Sequence, residues 1–317
     1  MKNIAVLGEC MVEFGGVSNT ENQAHLYKQG FAGDVFNTGI YIKRCIEHKA
    51  NVSFVTAIGN DELSDQFITM MKQENLSDEL LYRSNTEKMG LYLINVDAEG
   101  ERSFTYWREN SSAKQLMTFI DAETNPEKFD QIDALFFSGI SIAILSAEDL
   151  VLFWQYLAQL KSKGTRIIFD PNYRPALWPD EETARKAFNM AFTLTDVALP
   201  GVDDHIVLYN AKSAEDVANY LEELGVEEIV IKNGPESILI SDKGKRAVIK
   251  VIPASKVVDT TSAGDAFNGG YLSARINGRS IEQAALFAAN VAKCVIQHKG
   301  AIVDKESFST HLSNYPM

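Results

Sequence analysis

Short apolar runs alternate with amphipathic stretches along most of the 317-residue chain. The runs are rich in β-branched and aromatic residues, and they predict strands at residues 3–8, 52–57, 133–138, 166–170, 196–199 and 228–232. Their nearly continuous hydrophobicity is typical of strands that are buried on both faces of a parallel sheet. Helices are predicted between the strands. This alternation predicts an α/β fold with a doubly wound, mostly parallel sheet flanked by helices.

Capping-box patterns support three of these helices. A serine followed three residues later by an acidic residue or glutamine occurs at Ser146, Ser213 and Ser280. Each serine precedes a stretch with helical apolar periodicity, around 150–162, 217–224 and 284–297. The pattern therefore predicts where these helices begin as well as their existence.

Two segments break the alternation and predict strands without intervening helices. They are residues 11–31 and 88–107, and the second contains a turn at 97–100 that is typical of a β-hairpin. We expect a small inserted β-sheet that forms a lid, from about 11–31 and 88–110, on a single domain over 1–317. The alternative is an ordinary β extension at the edge of the main sheet.

Composition and charge narrow the classes of function. Hydrophobic residues make up 45% of the chain and charged residues 23%, which is typical of a globular protein. The formal net charge of −13 opposes binding to nucleic acids and anionic membranes. An anionic small molecule is still compatible with this charge, provided that positive groups gather locally.

Other features argue against a secreted or membrane protein. The three cysteines and five histidines show neither a disulfide framework nor a metal-binding spacing. The longest apolar stretch, 132–145, is shorter than the ~20 residues that span a bilayer. The first residues predict a strand rather than a signal peptide. We therefore expect a cytoplasmic protein with no nucleic-acid or membrane partner.

The stretch 257–267 carries the clearest chemical signal. Strand-like residues end there, small residues follow, and a helix is predicted to begin near Gly264. Small residues let backbone N–H groups approach a phosphate, and a helix N-terminus adds unpaired donors and a positive dipole end. Asp265 is expected in the first turn, where the alternative role of an acid is simply to offset the helix dipole.

Two motifs resemble those of a known family. Asp-Thr-Thr-x-Ala-Gly-Asp at 259–265 is similar to the C-terminal signature of the ribokinase-like (PfkB) sugar kinases, with Ser262 where many members have glycine. Residues 32–39 resemble the family's sugar-binding signature Gly-Gly-x-x-x-Asn, with Ala32 in place of the first glycine. The likeness runs from Gly8 to about Val303. It implies a ribokinase-like fold and a kinase that uses ATP and Mg²⁺.

The resemblance also implies roles for the residues of both motifs. Asp265 would be the general base that takes a proton from a substrate hydroxyl, which then attacks the γ-phosphate of ATP. Backbone N–H groups would hold the transferred phosphoryl group, at Ser262, Ala263, Gly264 and Asp265. Sugar hydroxyls would meet Gly33, Asp34 and Asn37. The alternative for Asp34 is a helix N-cap.

The nucleotide is expected to contact three further places. Residues 232–237 match the family's nucleotide-phosphate loop, in which we expect contacts from Lys232, Gly234 and Ser237; the alternative is a surface turn. Asn290 matches a position near adenine; the alternative is a polar residue on a helix face. The family's Asn-x-x-Glu stretch is altered to Gly201 and Asp204, so no direct metal ligand is assigned. Mg²⁺ is expected to be held mainly by ATP phosphates and water.

Within the family, the chain most resembles the kinases of 2-keto-3-deoxygluconate. The closer likeness lies in residues 8–13, 100–108, 138–141 and 169–178. A sugar acid needs a partner for its carboxylate, and the planar guanidinium of arginine suits that group. The resemblance implies ketoacid contacts from Tyr106, Arg108 and Arg174, with Asn172 and Arg174 toward the phosphates. Tyr92 offers a hydroxyl and a flat face for the sugar.

Simpler roles remain for these side chains. Arg108 would be a solvated surface charge, Arg174 would pair with a neighbouring aspartate, and the tyrosines would only pack within the hairpin. On the functional interpretation, Arg108, Arg174, Lys232 and a helix N-terminus form a small positive pocket within an acidic shell.

The expected reaction is phosphorylation of the C6 hydroxyl of 2-keto-3-deoxygluconate, giving the 6-phosphate and ADP. A kinase for a neutral ketose such as fructose, or for a nucleoside, is the nearest alternative. A non-catalytic sugar- or nucleotide-binding module is an alternative of another class. Because exposed lid strands need covering, we expect a homo-oligomer, a dimer or higher, formed through the lid.

Overall fold

The computed structural model describes residues 2–16, 26–96, 102–123 and 126–315. Within these ranges the chain forms thirteen strands: Lys2–Leu7 (β1), Met11–Gly16 (β2), Tyr27–Ala32 (β3), Ala50–Ile58 (β4), Leu81–Arg83 (β5), Leu91–Val96 (β6), Arg102–Trp107 (β7), Ala134–Ser138 (β8), Arg166–Asp170 (β9), Val197–Ala198 (β10), Glu228–Asn233 (β11), Ser237–Asp242 (β12) and Lys245–Lys250 (β13).

The same ranges contain eleven α-helices: Asp34–Ile46 (α1), Glu62–Gln73 (α2), Leu116–Asp121 (α3), Gly139–Ala143 (α4), Ala147–Ser162 (α5), Glu181–Leu194 (α6), Val202–Tyr209 (α7), Ala214–Glu223 (α8), Ala263–Ile276 (α9), Ile281–Val295 (α10) and Lys305–Ser313 (α11). Short 3₁₀ turns lie at Ser112–Gln115, Pro126–Phe129 and Pro175–Leu177.

The larger sheet has the strand order β13-β12-β11-β10-β9-β8-β1-β4-β5. Every pairing from β11 to β5 is parallel, whereas β12 and β13 are joined to the edge by antiparallel pairings. The chain order reverses between β1 and β8, and ligands of open α/β sheets bind at the carboxyl ends of strands beside such a reversal. The predicted doubly wound, mostly parallel sheet is confirmed.

Both faces of this sheet are covered. Ile4 and Val6 of β1 belong to one hydrophobic cluster, with α1, α9 and α10, while Ala5 and Leu7 belong to the other, with α5 and α6. All four side chains are nearly inaccessible to solvent. Alternate residues of a strand point to opposite faces, so two-sided burial explains why the strands are continuously hydrophobic.

A second, four-stranded sheet has the order β3-β2-β6-β7. Its pairings are antiparallel except for β2 with β6, and it follows β1 after only three residues. It is separate from the main sheet, so the alternative of an edge extension is wrong. The predicted turn at 97–100 and residues 17–25 lie outside the described residues.

The predicted helix starts are confirmed at all three serines. Ser146, Ser213 and Ser280 are the N-caps of α5, α8 and α10, and each hydroxyl accepts a hydrogen bond from the backbone N–H three residues on. Only Ser280 completes the reciprocal box, through the Gln283 side chain. The hydroxyls thereby satisfy donors that a helix start leaves open.

The hairpin of β12 and β13 is missing from the sequence-based prediction. Strand β12 has a buried run at 238–241 that the prediction omits, whereas β13 is mostly exposed and has no such run. Its turn residues Lys243 and Gly244 both have positive φ, as a two-residue hairpin turn requires. The sequence Asp-Lys-Gly-Lys at 242–245 was the available signal.

Candidate active site

Predicted site residues from distant parts of the chain meet at the carboxyl edge of the main sheet. Asp265 at the start of α9 is hydrogen-bonded to Asn37 in the first turns of α1. Asn172, two residues after β9, is hydrogen-bonded to Asp34 at the start of α1. The N-termini of α1 and α9 therefore face each other beside the end of β9, at the predicted ligand-binding edge.

One oxygen of Asp265 is held by two donors. Its Oδ2 accepts hydrogen bonds from Asn37 Nδ2 at 2.9 Å and from Ser262 Oγ at 2.8 Å. Its Oδ1 accepts none from the residues that the structure describes. The Thr38 hydroxyl, 3.3 Å from the Asp265 carbonyl oxygen, adds a further link between the two helices. The carboxylate is thus oriented, with one oxygen free to meet another group.

The environment of Asp265 suits proton transfer near neutral pH. Burial, followed by the nearby charges of Asp34 and Asp170, raises its pKa to about 7, although the bonds from Asn37 and Ser262 lower it. A general base works best when its pKa lies close to the working pH. Both roles remain open for Asp265, since an acid in the first turn of a helix also offsets the helix dipole.

The loop before α9 presents unpaired backbone donors. The N–H groups of Ser262, Gly264 and Asp265 have no acceptor among the described residues, while the N–H of Ala263 donates to the Thr260 carbonyl oxygen at 3.2 Å. Three of the four N–H groups predicted to hold a phosphoryl group are therefore open. Open donors at a helix start form an anion site.

Gly33 is required by a close approach between backbones. A Cβ at this position would lie 2.3 Å from the carbonyl oxygen of Glu9, which follows β1. Gly33 is itself the N-cap of α1, and Asp34 is the first helical residue. The alternative in which Asp34 caps the helix is therefore wrong. Its Oδ2 accepts instead from Asn172 Nδ2 at 2.7 Å.

A buried cluster at the end of β9 places one positive charge beside the loop. Lys232 Nζ lies 2.8 Å from Asp170 Oδ2 and 3.2 Å from Asn268 Oδ1. Asn268 Nδ2 also donates to the same Asp170 oxygen at 2.6 Å. The ammonium is 3.8 Å from the position that a Cβ on Gly264 would occupy. Lys232 therefore lies next to the open N–H groups, as its predicted role requires.

Asp170 and Asn268 were missed as site residues by sequence reasoning. Asp170 is the last residue of a buried strand, and polar residues at that place lie at the ligand-binding edge of an α/β sheet. That position was the available signal. The signal for Asn268 is weaker. It consists only of the spacing of three residues from Asp265, which places the two side chains next to each other on the helix.

The altered stretch at the start of α7 retains a carboxylate, Asp204, at this edge. Burial and the charge of Asp170 raise the pKa of Asp204 to about 6, while Lys232 and Arg174 lower it. The N–H of Lys232 donates to the Pro200 carbonyl oxygen at 2.8 Å, which brings the start of α7 beside β11. Asp204 has no cation within salt-bridge distance in the described ranges. No group of three His, Cys, Asp or Glu side chains there could hold a metal ion.

Arg108 is largely buried and ion-paired rather than a solvated surface charge. Its Nη2 donates to Glu9 Oε2, and the two side chains are 12% and 2% exposed. The alternative of a surface charge is wrong. Glu9 precedes the small sheet and Arg108 follows its last strand, so the pair joins the sheet to the end of β1. Sequence reasoning singled out Arg108 as a candidate but not its partner Glu9.

Arg174 contrasts with Arg108. It is exposed, and its Nη1 donates to the Tyr173 carbonyl oxygen at 3.0 Å. Across the described ranges no carboxylate lies within salt-bridge distance of it, so the alternative of a direct pair with an aspartate is wrong. Its charge is nevertheless close enough to lower the pKa of Asp204. Arg174 therefore offers an available cation at the same edge.

The two lid tyrosines differ in exposure. Tyr92 and Tyr106 lie opposite each other on β6 and β7, with ring centroids 5.7 Å apart. Tyr92 is 8% exposed and its hydroxyl donates to Glu13 Oε2. Tyr106 is 46% exposed. Packing explains much of Tyr92, whereas Tyr106 stays nearly half exposed although its ring stacks with Phe104 at 6.2 Å.

The remaining predicted nucleotide residues are less closely joined to this cluster. Gly234, with φ of 56°, forms the turn between β11 and β12, and Ser237 Oγ accepts from Asn233 Nδ2 at 3.4 Å. Asn290 Nδ2 donates to the Leu286 carbonyl oxygen of its own helix at 3.1 Å. No contact in the described residues links Asn290 to Asp265 or Lys232, so its role stays a prediction.

Curated relatives cover nearly the whole chain. A 2-dehydro-3-deoxygluconokinase of Dickeya dadantii is 38% identical over 311 residues, which cover 96% of this chain and 98% of the relative. The enzyme of the same name from Haemophilus influenzae is 36% identical over 317 residues, with 99% of both chains covered.

A solved structure shares the fold at lower identity. It is a 2-dehydro-3-deoxygluconokinase of Thermotoga maritima, with a TM-score of 0.82 at 18% identity and 98% of both chains covered. Among the described residues, no helix has the length and apolar character needed to cross a membrane. The sequence pattern of the pfkB family carbohydrate kinases matches residues 1–307, and the chain belongs to this family.

Proposed function

We propose that this protein is an ATP-dependent kinase of 2-dehydro-3-deoxygluconate, the sugar acid also called 2-keto-3-deoxygluconate. Its curated relatives at 36–38% identity carry that name. The observation that carries the chemistry is Asp265, an oriented carboxylate with a pKa raised to about 7 beside the open donors of α9. The reaction would convert the sugar acid and ATP into the 6-phosphate and ADP.

The chemical step requires one proton transfer and one phosphoryl transfer. The free Oδ1 of Asp265 accepts the proton of the C6 hydroxyl as the hydroxyl oxygen attacks the γ-phosphorus of ATP. The bond from that phosphorus to the β,γ-bridging oxygen breaks, and ADP leaves. Asp34, which Asn172 orients, would hold sugar hydroxyls near the start of α1. Positioning and charge stabilisation provide most of the catalysis in such transfers.

Positive groups are available for the phosphates. The open N–H groups of Ser262, Gly264 and Asp265 would hold charge that builds on the transferred phosphoryl group. Lys232, 3.8 Å from the Cβ position of Gly264, would lie against the departing phosphates. Asp170 keeps this ammonium in place through its 2.8 Å contact.

Mg²⁺ accompanies ATP in a structural neighbour from Escherichia coli that was solved in complex with both, with a TM-score of 0.84 at 19% identity. The residues here fit a hydrated ion, because Asp170 and Asp204 are single carboxylates at the phosphate edge rather than a ligand cluster. When bound with ATP, Mg²⁺ would neutralise part of the negative charge of the phosphates.

The carboxylate of the sugar acid has two arginines to meet. The charge of Arg108 is already balanced by Glu9, so its remaining donors offer hydrogen bonds more than net charge. Arg174 is exposed and not directly ion-paired within the described ranges, and it would supply most of the electrostatic attraction. Tyr106 would place the exposed part of its side chain against the sugar.

A kinase of a neutral ketose is the second candidate. The neutralised Arg108 favours it, and an Arabidopsis thaliana relative at 25% identity is named a probable fructokinase. This candidate predicts equal or faster turnover of fructose. The sugar-acid interpretation is preferred because the relatives with the higher identity share one name.

The lid and the compartment are also proposals. The β strands of 11–31 and 88–110 would form a lid on a single catalytic domain over 1–317. The small sheet exposes Phe104, Tyr106 and Trp107, each at 44–54%, and covering such aromatic groups favours a homo-oligomer. ATP as substrate and three buried free thiols suit a reducing cytoplasm.

A coupled assay of ADP release tests the proposal. We expect turnover of 2-dehydro-3-deoxygluconate to exceed that of fructose and of a nucleoside, with kcat/KM at least tenfold higher. The variant Asp265→Asn should lose this turnover by about 10²-fold or more while still binding ATP. Glu148→Gln, which removes an exposed first-turn carboxylate from α5, is the matched control and should retain activity. Turnover close to wild type in Asp265→Asn would refute the mechanism.

A further inference from the structure

Ser262 has a backbone conformation that is uncommon for its residue type. It is the N-cap of α9 with φ of 64° and ψ of 13°, in the left-handed region. A side chain with a Cβ is disfavoured there, and glycine adopts this conformation most readily. A serine at this position therefore needs a compensating interaction.

The hydroxyl of Ser262 does not make the usual capping bond. Ser146, Ser213 and Ser280 accept from the N–H three residues on, but Ser262 makes no side-chain capping bond to its helix. The residue three positions after Ser262 is Asp265. The left-handed backbone turns the hydroxyl toward the side chain of Asp265 instead of its N–H, at 2.8 Å from Oδ2.

We propose that the Ser262 hydroxyl is a positioning group for the base Asp265, distinct from the role of its backbone N–H. Together with Asn37, it fixes Oδ2 and leaves Oδ1 turned toward the substrate hydroxyl. It also stabilises the ionised form, because a donor favours the charged carboxylate over the protonated acid. This inference rests on the proposed kinase function.

The charged groups around Asp265 make this donor important. Asp34 approaches from α1 and Asp170 from β9, and both carboxylates raise the pKa of Asp265, as its burial does. Lys232 of β11 is paired with Asp170, so its charge is largely balanced there. Burial raises the pKa of Tyr41 of α1, and the charge of Asp265 adds to that rise. Without the hydroxyl, Asn37 would be the one side-chain donor left, among the described residues, whose hydrogen bond lowers the pKa of Asp265.

Two substitutions separate the hydroxyl from the backbone. Ser262→Ala removes the hydroxyl and keeps a Cβ in the left-handed region, whereas Ser262→Gly removes the hydroxyl and relieves the backbone. The hydroxyl is proposed to orient Asp265 and to stabilise its ionised form. If so, both variants should shift the acid limb of the kcat/KM profile to higher pH by the same amount, about one pH unit. At low pH each should turn over about tenfold more slowly than wild type, and at alkaline pH activity should recover.

Ser280→Ala is the matched control. It removes the hydroxyl of an N-cap serine that caps α10 in the usual way. We expect it to lower the melting temperature and to leave the acid limb unmoved. Ser262→Gly should melt no lower than Ser262→Ala, because glycine suits the backbone, so a folded variant is available for the pH profile.

Three outcomes decide the inference. An acid limb that shifts equally in both variants supports it. A limb that stays in place in both variants overturns the inference. The proposed function would still be supported in that case if Asp265→Asn is inactive. A limb that shifts in Ser262→Ala but not in Ser262→Gly also overturns the inference, because backbone strain rather than the hydroxyl would then be responsible.

Discussion

Replacing Arg108 with alanine should destabilise the protein strongly, because it leaves the buried carboxylate of Glu9 without its cation. Glu9 is 3% exposed, and its side chain meets Arg108 where the small sheet joins the end of β1. Removing one partner of a buried pair leaves an uncompensated charge, which costs about 3–5 kcal/mol. A typical domain has a free energy of unfolding of about 5–15 kcal/mol, so the loss would be large.

The loss should depend on pH in a defined direction. Burial raises the pKa of Glu9, and Arg108 opposes that rise. In Arg108→Ala the pKa of Glu9 in the folded state should therefore rise further above its value in the unfolded chain. The folded state then binds more protons than the unfolded state, so the free energy of unfolding falls as pH increases. The variant should be closest to wild type near about pH 5 and furthest from it near about pH 8.

Urea unfolding, followed by the fluorescence of the three tryptophans, measures this effect. The double variant Glu9→Gln/Arg108→Ala removes the charge as well as its partner, and it should recover more than half of the stability lost at pH 8. Lys186→Ala, which breaks an exposed pair with Glu182, is the control and should leave the unfolding midpoint unchanged.

Two results would refute the reasoning. A loss below about 1 kcal/mol for Arg108→Ala would mean that the pair is exposed to water or contributes nothing. A double variant as unstable as the single one would mean that lost packing of the arginine stem, rather than the unpaired charge of Glu9, is responsible.

Arg174→Ala should raise KM for the sugar acid about tenfold or more and leave KM for fructose little changed, as measured in the ADP-release assay; an equal change for both substrates would remove Arg174 from carboxylate recognition. Phe104→Asp should lower the mass found by sedimentation to that of one chain, since it places a charge on the exposed aromatic surface of β7, and an unchanged mass would exclude this surface from the assembly.

Much of the fold follows from local patterns in the sequence. Continuous hydrophobic runs mark the central strands because those strands are buried on both faces, and serine caps mark three helix starts. The small sheet is found by its alternation. The exposed β13 was missed because periodicity detects burial, and this strand has little.

The sequence by itself determined the α/β architecture and the candidate phosphate-binding loop with Asp265, because both depend on short spacings along the chain. Only the tertiary structure decided the pairing of Arg108 with Glu9 and of Lys232 with Asp170, which are 99 and 62 residues apart. It also decided that the hydroxyl of Ser262 meets the Asp265 side chain and not its N–H. The physical reason is that a charge pair forms only between groups that the fold brings within about 3 Å. The direction of the Ser262 hydroxyl depends on the local φ. Residue spacing alone encodes neither the pairing nor the direction.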